Sequence, residues 1–212
     1  MEIEAMLCHI KGWLGTGSIN VFGPPFAGKD TQCELLAKVL GGHVIAGGDL
    51  LRNNPLLTPQ EREIMTRGEL LPRDDYLRLV RPSLSLDEFA NIPLIYASVG
   101  RYFGEEGTVM LASKQAGHTV RVAIVLDVSI EVALQRQIER RASLDRGLLR
   151  EDDDPEVLPT RFKEFMNKTR PVVDYYKNEG KLITLKGVGS IKDMHQRIVE
   201  ALYDFAIARP RR

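Results

Sequence analysis

Nowhere in the 212 residues is there an apolar run approaching the ~20 residues that span a bilayer. Glu2, Glu4 and Lys11 interrupt the stretch where a secretory leader would carry a continuous apolar core. A soluble protein working in the cytoplasm is expected. Cysteine is nearly absent: Cys8 and Cys33 make no metal-ligand spacing and are too few for a disulfide framework, so both read as small buried apolar side chains. Neither sign of charge is in excess, with 29 Lys+Arg against 29 Asp+Glu, which disfavours a nucleic-acid or anionic-membrane partner. Internal repeats and low-complexity tracts are also missing. What remains is ordinary globular usage, 43% hydrophobic and 27% charged, on a chain long enough to bury a core as a single domain.

Helical spacing first appears at Ile3, Met6, Leu7, Ile10, Trp13 and Leu14, and the small residues 15–18 end it. This predicts a short amphipathic helix that packs on the core. Residues 19–22 form a brief apolar run rich in β-branched side chains, followed by a glycine-rich turn at 23–28 and a helical pattern at 31–40. Further strands are expected at 43–46, 93–97, 121–128 and 181–185, with helices between them. Such alternation predicts an α/β fold of three layers, a five-stranded parallel sheet with helices on both faces. Two segments break it. Residues 47–92 carry helix signals at 48–53, 58–67 and 73–83 and no strand, which predicts a helical insertion; residues 143–154 are polar and charged and read as a mobile connection.

The turn after the first strand reads Gly23-Pro24-Pro25-Phe26-Ala27-Gly28-Lys29, the spacing of a phosphate-binding loop. Glycines there let successive backbone N–H groups point inward, the following helix adds its positive end, and the lysine supplies a cation for the outer phosphates. The strand before and the helix after complete the context that makes the spacing informative.

With its neighbours, this loop resembles that of the adenylate kinase family of nucleoside monophosphate kinases. Residues 23–32, Gly-Pro-Pro-Phe-Ala-Gly-Lys-Asp-Thr-Gln, are similar to that family's Gly-x-Pro-Gly-x-Gly-Lys-Gly-Thr-Gln. Gly48-Asp49-Leu50-Leu51-Arg52 and Gly68-Glu69-Leu70-Leu71-Pro72 are similar to its Gly-Asp-Leu/Met-Leu-Arg and Gly-x-Leu-Val-Pro. Arg136 and Arg140 match its paired arginines before the lid, Arg150 and Arg161 the pair after it, and Pro171-Val172-Val173-Asp174-Tyr175-Tyr176 its Pro-hydrophobic-x-x-Tyr-Tyr.

The resemblance implies a P-loop NTPase fold with core segments 1–46, 86–141 and 155–212, a monophosphate-binding insertion at 47–85 and a lid at 142–154. The lid holds no cysteine or histidine and so resembles the short, zinc-free type. The implied activity moves the terminal phosphoryl group of ATP, with Mg²⁺, to a nucleoside monophosphate, in a monomer. Such transfer needs positioning and charge neutralisation more than covalent chemistry. The resemblance therefore gives Pro25, Phe26, Ala27, Gly28, Lys29, Asp30, Thr31, Arg136, Arg140 and Gly187 to ATP. It gives Gly47, Arg52, Leu70, Arg101, Glu105, Arg150 and Arg161 to the acceptor. Lys29, Arg101, Arg136, Arg150 and Arg161 would close over the moving group.

Three departures from the family pattern stand out. Ala97-Ser98-Val99-Gly100-Arg101 replaces the usual Asp-Gly-Phe-Pro-Arg, removing a carboxylate that helps order the magnesium hydration shell. Asp30 replaces the small residue after the lysine. Either Asp30, with Asp49, takes over the magnesium-facing role, or it pairs locally and metal use is weakened. Glu105 stands where a glutamine reads adenine, and an ionised carboxylate only accepts hydrogen bonds; Gly47 also replaces a hydroxyl residue. AMP is the expected acceptor, with GMP or a pyrimidine monophosphate as the alternative. A nucleotide-binding regulatory protein without turnover is a further alternative, favoured by Ala97 and Asp30 and opposed by the retained arginines.

Overall fold

Branched apolar side chains fill both faces of the central strands, as a parallel sheet covered on two sides requires. The computed structural model describes residues 2–80, 82, 89–143 and 154–209. Its five strands are β1 (Ser18–Phe22), β2 (His43–Ala46), β3 (Leu94–Ala97), β4 (Val120–Asp127) and β5 (Leu182–Lys186). They pair in the order β2-β3-β1-β4-β5, every pair parallel. The strands lie within one residue of their expected positions.

Side chains alternate between the two faces. Ile19, Val21, Ile95, Val122 and Ile124 point to one side, against α1 (Ile3–Leu14), α2 (Lys29–Leu40) and α10 (Ile191–Ala208). Phe22, Leu94, Tyr96, Ala123 and Val125 point to the other, against α3 (Gly47–Arg52), α5 (Arg73–Val80), α6 (Glu105–Gln115) and α9 (Arg170–Asn178). The leading helix α1 packs on the core as expected: Ile10, Trp13 and Leu14 are buried, and the Trp13 indole N–H donates to the Arg209 carbonyl at 2.8 Å. One cysteine is misread from sequence. Cys33 is buried, but Cys8 is exposed, because α1 turns Met6, Leu7, Ile10, Trp13 and Leu14 to the core and Cys8 lies off that stripe.

Between β2 and β3 the described residues form helices and no strand: α3, α4 (Pro59–Thr66) and α5 among them. Thr58 and Glu61 cap α4 reciprocally, and the same Glu61 carboxylate takes the Arg78 guanidinium at 2.5 Å, tying α4 to α5. After β4, α7 (Ile130–Ser143) leads to the connection expected at 142–154; Arg150 and most of that connection lie outside the described residues. The chain returns as α8 (Leu158–Glu164), which passes through one π-helical turn (Phe165–Thr169) into α9 without a break.

Candidate active site

The C-terminal ends of the strands in a doubly wound sheet leave a crevice where ligands bind. Here the loop from β1 to α2 rises into it. Gly28 caps α2 at φ +86°, a backbone conformation open to glycine. Lys29 follows, its side chain 18% exposed and its Nζ 3.8 Å from the Asp30 carboxylate. Burial holds the Lys29 pKa below its ordinary value; Asp30 opposes that, while Arg161 and Arg101 deepen it. An ammonium buried near two guanidinium groups is short of negative charge, which a polyphosphate supplies.

Two clefts open from this loop. The first, about 550 Å³, is lined by Phe26, Ala27, Gly28, Thr31, Arg136, Arg140 and Gly187. The second runs beneath α3 and along α8, past Pro25, Asp49, Arg52, Leu70, Ala97 and Arg101. Lys29, Asp30 and Arg161 line both. The structure thus brings together most residues assigned to the donor and most assigned to the acceptor, with three charged groups at the junction.

The second cleft is built to hold an anion. Arg52 pairs with Asp49 at 2.6 Å on the first helical turn after β2. The Arg101 Nε is buried and has no hydrogen-bond partner among the described residues, an orphaned donor that an anionic oxygen would satisfy. Its backbone is fixed from several sides. Asn20, wholly buried in β1, donates to the Val99 carbonyl at 2.7 Å; the Gly100 N–H donates to the Tyr76 hydroxyl at 3.0 Å; Thr169 donates to the Arg101 carbonyl at 3.0 Å.

Some expected residues have other surroundings. Glu105 is buried and absent from the linings of both clefts; its Oε2 accepts from the backbone N–H groups of Arg101 at 2.8 Å and Tyr102 at 3.0 Å. Burial pushes its carboxyl up to about 7 despite those bonds. Gly47 is buried behind the second cleft, against Ser98 and Tyr76, and does not line it. Arg136 donates to the carbonyls of Phe26 and Ala27 at 3.2 Å and of Gly187 at 2.6 Å, stapling the phosphate loop to the turn after β5.

Sequence reasoning missed Glu164 and Thr169, which line the second cleft. Glu164 accepts from the Leu70 N–H at 3.0 Å and pairs with Lys168 at 2.5 Å, joining the helical insertion to α8. Thr169 stands two residues before Pro171 in the quoted motif, the only signal available for either.

Magnesium fits this donor set. Asp30 and Asp49 both line the second cleft beside Ala97. That suits an ion that keeps most of its waters and bridges one or two carboxylates to substrate phosphates, rather than one caged by protein.

Comparison with known proteins agrees with this geometry. The sequence model of the adenylate kinase family matches residues 21–181. The adenylate kinase of Thermus thermophilus is 35% identical over 198 residues, covering 89% of this chain and 99% of the relative. Those of Deinococcus deserti and Flavobacterium johnsoniae are 30% and 28% identical, covering 85% and 87% of this chain and 93% and 97% of the relatives. A phosphate loop feeding two clefts that meet at Lys29, and these matches over most of its length, place the chain in the adenylate kinase family, phosphotransferases that act on nucleoside monophosphates.

Proposed function

We propose that the protein transfers the terminal phosphoryl group of ATP to AMP, with Mg²⁺. The observation that carries this reading is the meeting of the two clefts at Lys29, Asp30 and Arg161. Transfer without release requires donor and acceptor oxygens in line across one small volume, and cations at that volume follow the charge as it moves.

In this reading ATP lies in the first cleft, its phosphates on the loop amides and Lys29, with Arg136 and Arg140 at its side. The acceptor phosphate takes Arg52 and the orphaned Nε of Arg101. Arg161, shared by both clefts, spans the group in flight, and Arg150 joins it from the lid. Asp30 and Asp49 would hold the magnesium ion, which neutralises phosphate charge when bound. In this reading the insertion at 47–85 would bind the acceptor and the lid at 142–154 would cover the site against water. A monomer working in the cytoplasm belongs to the same proposal.

AMP is chosen because the compared relatives carry that activity in their names and because Glu105 faces backbone amides, so its charge does not set the acceptor edge. Turnover with Mg-ATP against AMP, GMP, CMP and UMP tests it. AMP should give the highest kcat/KM; preference for another base would overturn the acceptor assignment, and no turnover with any would overturn the reaction.

A further inference from the structure

Phe26 occupies a backbone position that bulky side chains seldom adopt. Its φ is +58°, in the left-handed region, within a loop whose family pattern carries glycine there. A non-glycine residue held in that region at a ligand site invites the question of what the side chain contributes. The ring is half-buried and lines the first cleft, and the Arg161 guanidinium carbon lies 5.9 Å from its centroid. That is within the range where a cation is attracted to the negative face of an aromatic ring.

On the loop side the Phe26 ring faces the Arg161 head. Arg161 comes from α8, far along the chain, and its aliphatic stem approaches Gly68, where an added Cβ would meet Arg161 Cγ at 2.7 Å. Gly68 therefore supports the stem from the insertion side and Phe26 the head from the loop side. A ring is a distinctive support for such a head. Unlike a carboxylate, it offers no acceptor lone pairs and does not neutralise the charge that phosphate oxygens need.

We propose that Phe26 is a positioning residue for Arg161, its ring holding the guanidinium at the junction of the two clefts before and during phosphoryl transfer. The inference rests on the reading that Arg161 spans the transferring group, and the experiment separates the two.

The test is a double-mutant cycle in the full chain, reading kcat and the KM for ATP. Arg161→Ala alone should lower kcat by on the order of 10³; wild-type turnover would overturn the role of Arg161 and the inference with it. Phe26→Leu keeps apolar bulk and the same backbone demand but removes the ring face, and should lower kcat about 3- to 10-fold while KM for ATP stays within about two-fold. Phe26→Tyr keeps the face and should lose less than Phe26→Leu. In the Arg161→Ala background, Phe26→Leu should add no further loss. Phe26→Gly relieves the backbone, so it should melt no lower than wild type while losing turnover as Phe26→Leu does. Equal losses from Phe26→Leu with and without Arg161, a loss confined to KM, or equal losses for Leu and Tyr would overturn the positioning role and leave that of Arg161 standing.

Discussion

The carbonyl oxygen of Ser98 lies 2.7 Å from the point that a Cβ on Gly47 would occupy, and the Tyr76 hydroxyl 3.1 Å from it. The missing hydroxyl side chain at 47 and the altered segment after β3, two departures from the family pattern, are therefore in contact. Ser98 takes φ +55° there, with its N–H on the Val21 carbonyl at 2.9 Å, so the obstructing carbonyl is held in place. Gly47→Ser should destabilise the fold by about 1–3 kcal/mol through overpacking. Urea unfolding checks this, and an unchanged midpoint would show that the segment yields.

Lys29→Met should abolish phosphoryl transfer without lowering the melting temperature of the ligand-free protein. The lysine pKa is lowered chiefly by burial, so at neutral pH its charged form opposes folding, and an apolar chain of similar length removes that opposition. Thermal unfolding with and without ATP should show the stabilisation by nucleotide reduced while the free protein melts at or above wild type. Retained turnover in the folded variant contradicts the assignment.

Arg136→Ala should have two separable effects. Loss of a cleft arginine should lower kcat by on the order of 10³. Loss of three bonds to the Phe26, Ala27 and Gly187 carbonyls should loosen the phosphate loop and destabilise the protein by about 1–2 kcal/mol. Arg136→Lys should recover part of the stability and little of the turnover, since an ammonium cannot reach both loops with a planar fork.

Asp30 and Ala97 line one cleft, which makes an exchange of carboxylates between them testable. Asp30→Gly should weaken the dependence of turnover on magnesium and tighten metal-free ATP binding, as one negative charge leaves the loop. Adding Ala97→Asp should restore activity in part. Turnover measured against magnesium concentration across the double-mutant cycle decides it; strictly additive effects would mean that the two positions do not share a task.

Glu105 ties stability to pH. Its carboxyl titrates near 4.5 when unfolded and near 7 when folded, so the folded state binds the extra proton between those values and stability falls as pH rises through that window. Glu105→Gln does not titrate and can still accept from the two backbone amides. Its stability advantage over wild type should be absent near pH 4, grow to on the order of 2–3 kcal/mol and level off above about pH 7. A difference that is flat with pH would contradict the burial of this carboxyl.

The strands and the phosphate loop were legible because each rests on a local pattern: alternation or branched runs for the strands, glycine spacing between strand and helix for the loop. That Arg52, Arg101, Arg136, Arg140 and Arg161 line the two clefts was foreshadowed by the collinear motifs that spaced them; Arg150 lies outside the described residues. The orientation of Glu105 was not legible. Gly104 takes φ +95° and starts α6 immediately before it, so the carboxylate folds back as a local cap, something that spacing from Arg101 cannot reveal. The exposure of Cys8 escaped because the residue type was read without its place on α1, where it lies off the stripe of Met6, Leu7 and Ile10 that meets the core. Glu164 stayed hidden because its partner is a backbone amide 94 residues away.

The π-helical turn at Phe165–Thr169 sets which residues of that long helical rod share a line. At about 100° per residue, eight α-helical steps would turn Thr169 some 80° away from Arg161. A wide turn absorbs about one residue, which brings the two to within roughly 20°, and both do line the second cleft. The rod behaves as a vernier: one surplus residue aligns Arg161, which lines both clefts, with the threonine that holds the Arg101 carbonyl. Removing the exposed Asn167 would convert the turn to regular helix and keep that alignment, whereas the same deletion two turns further on would rotate Tyr176 out of the core.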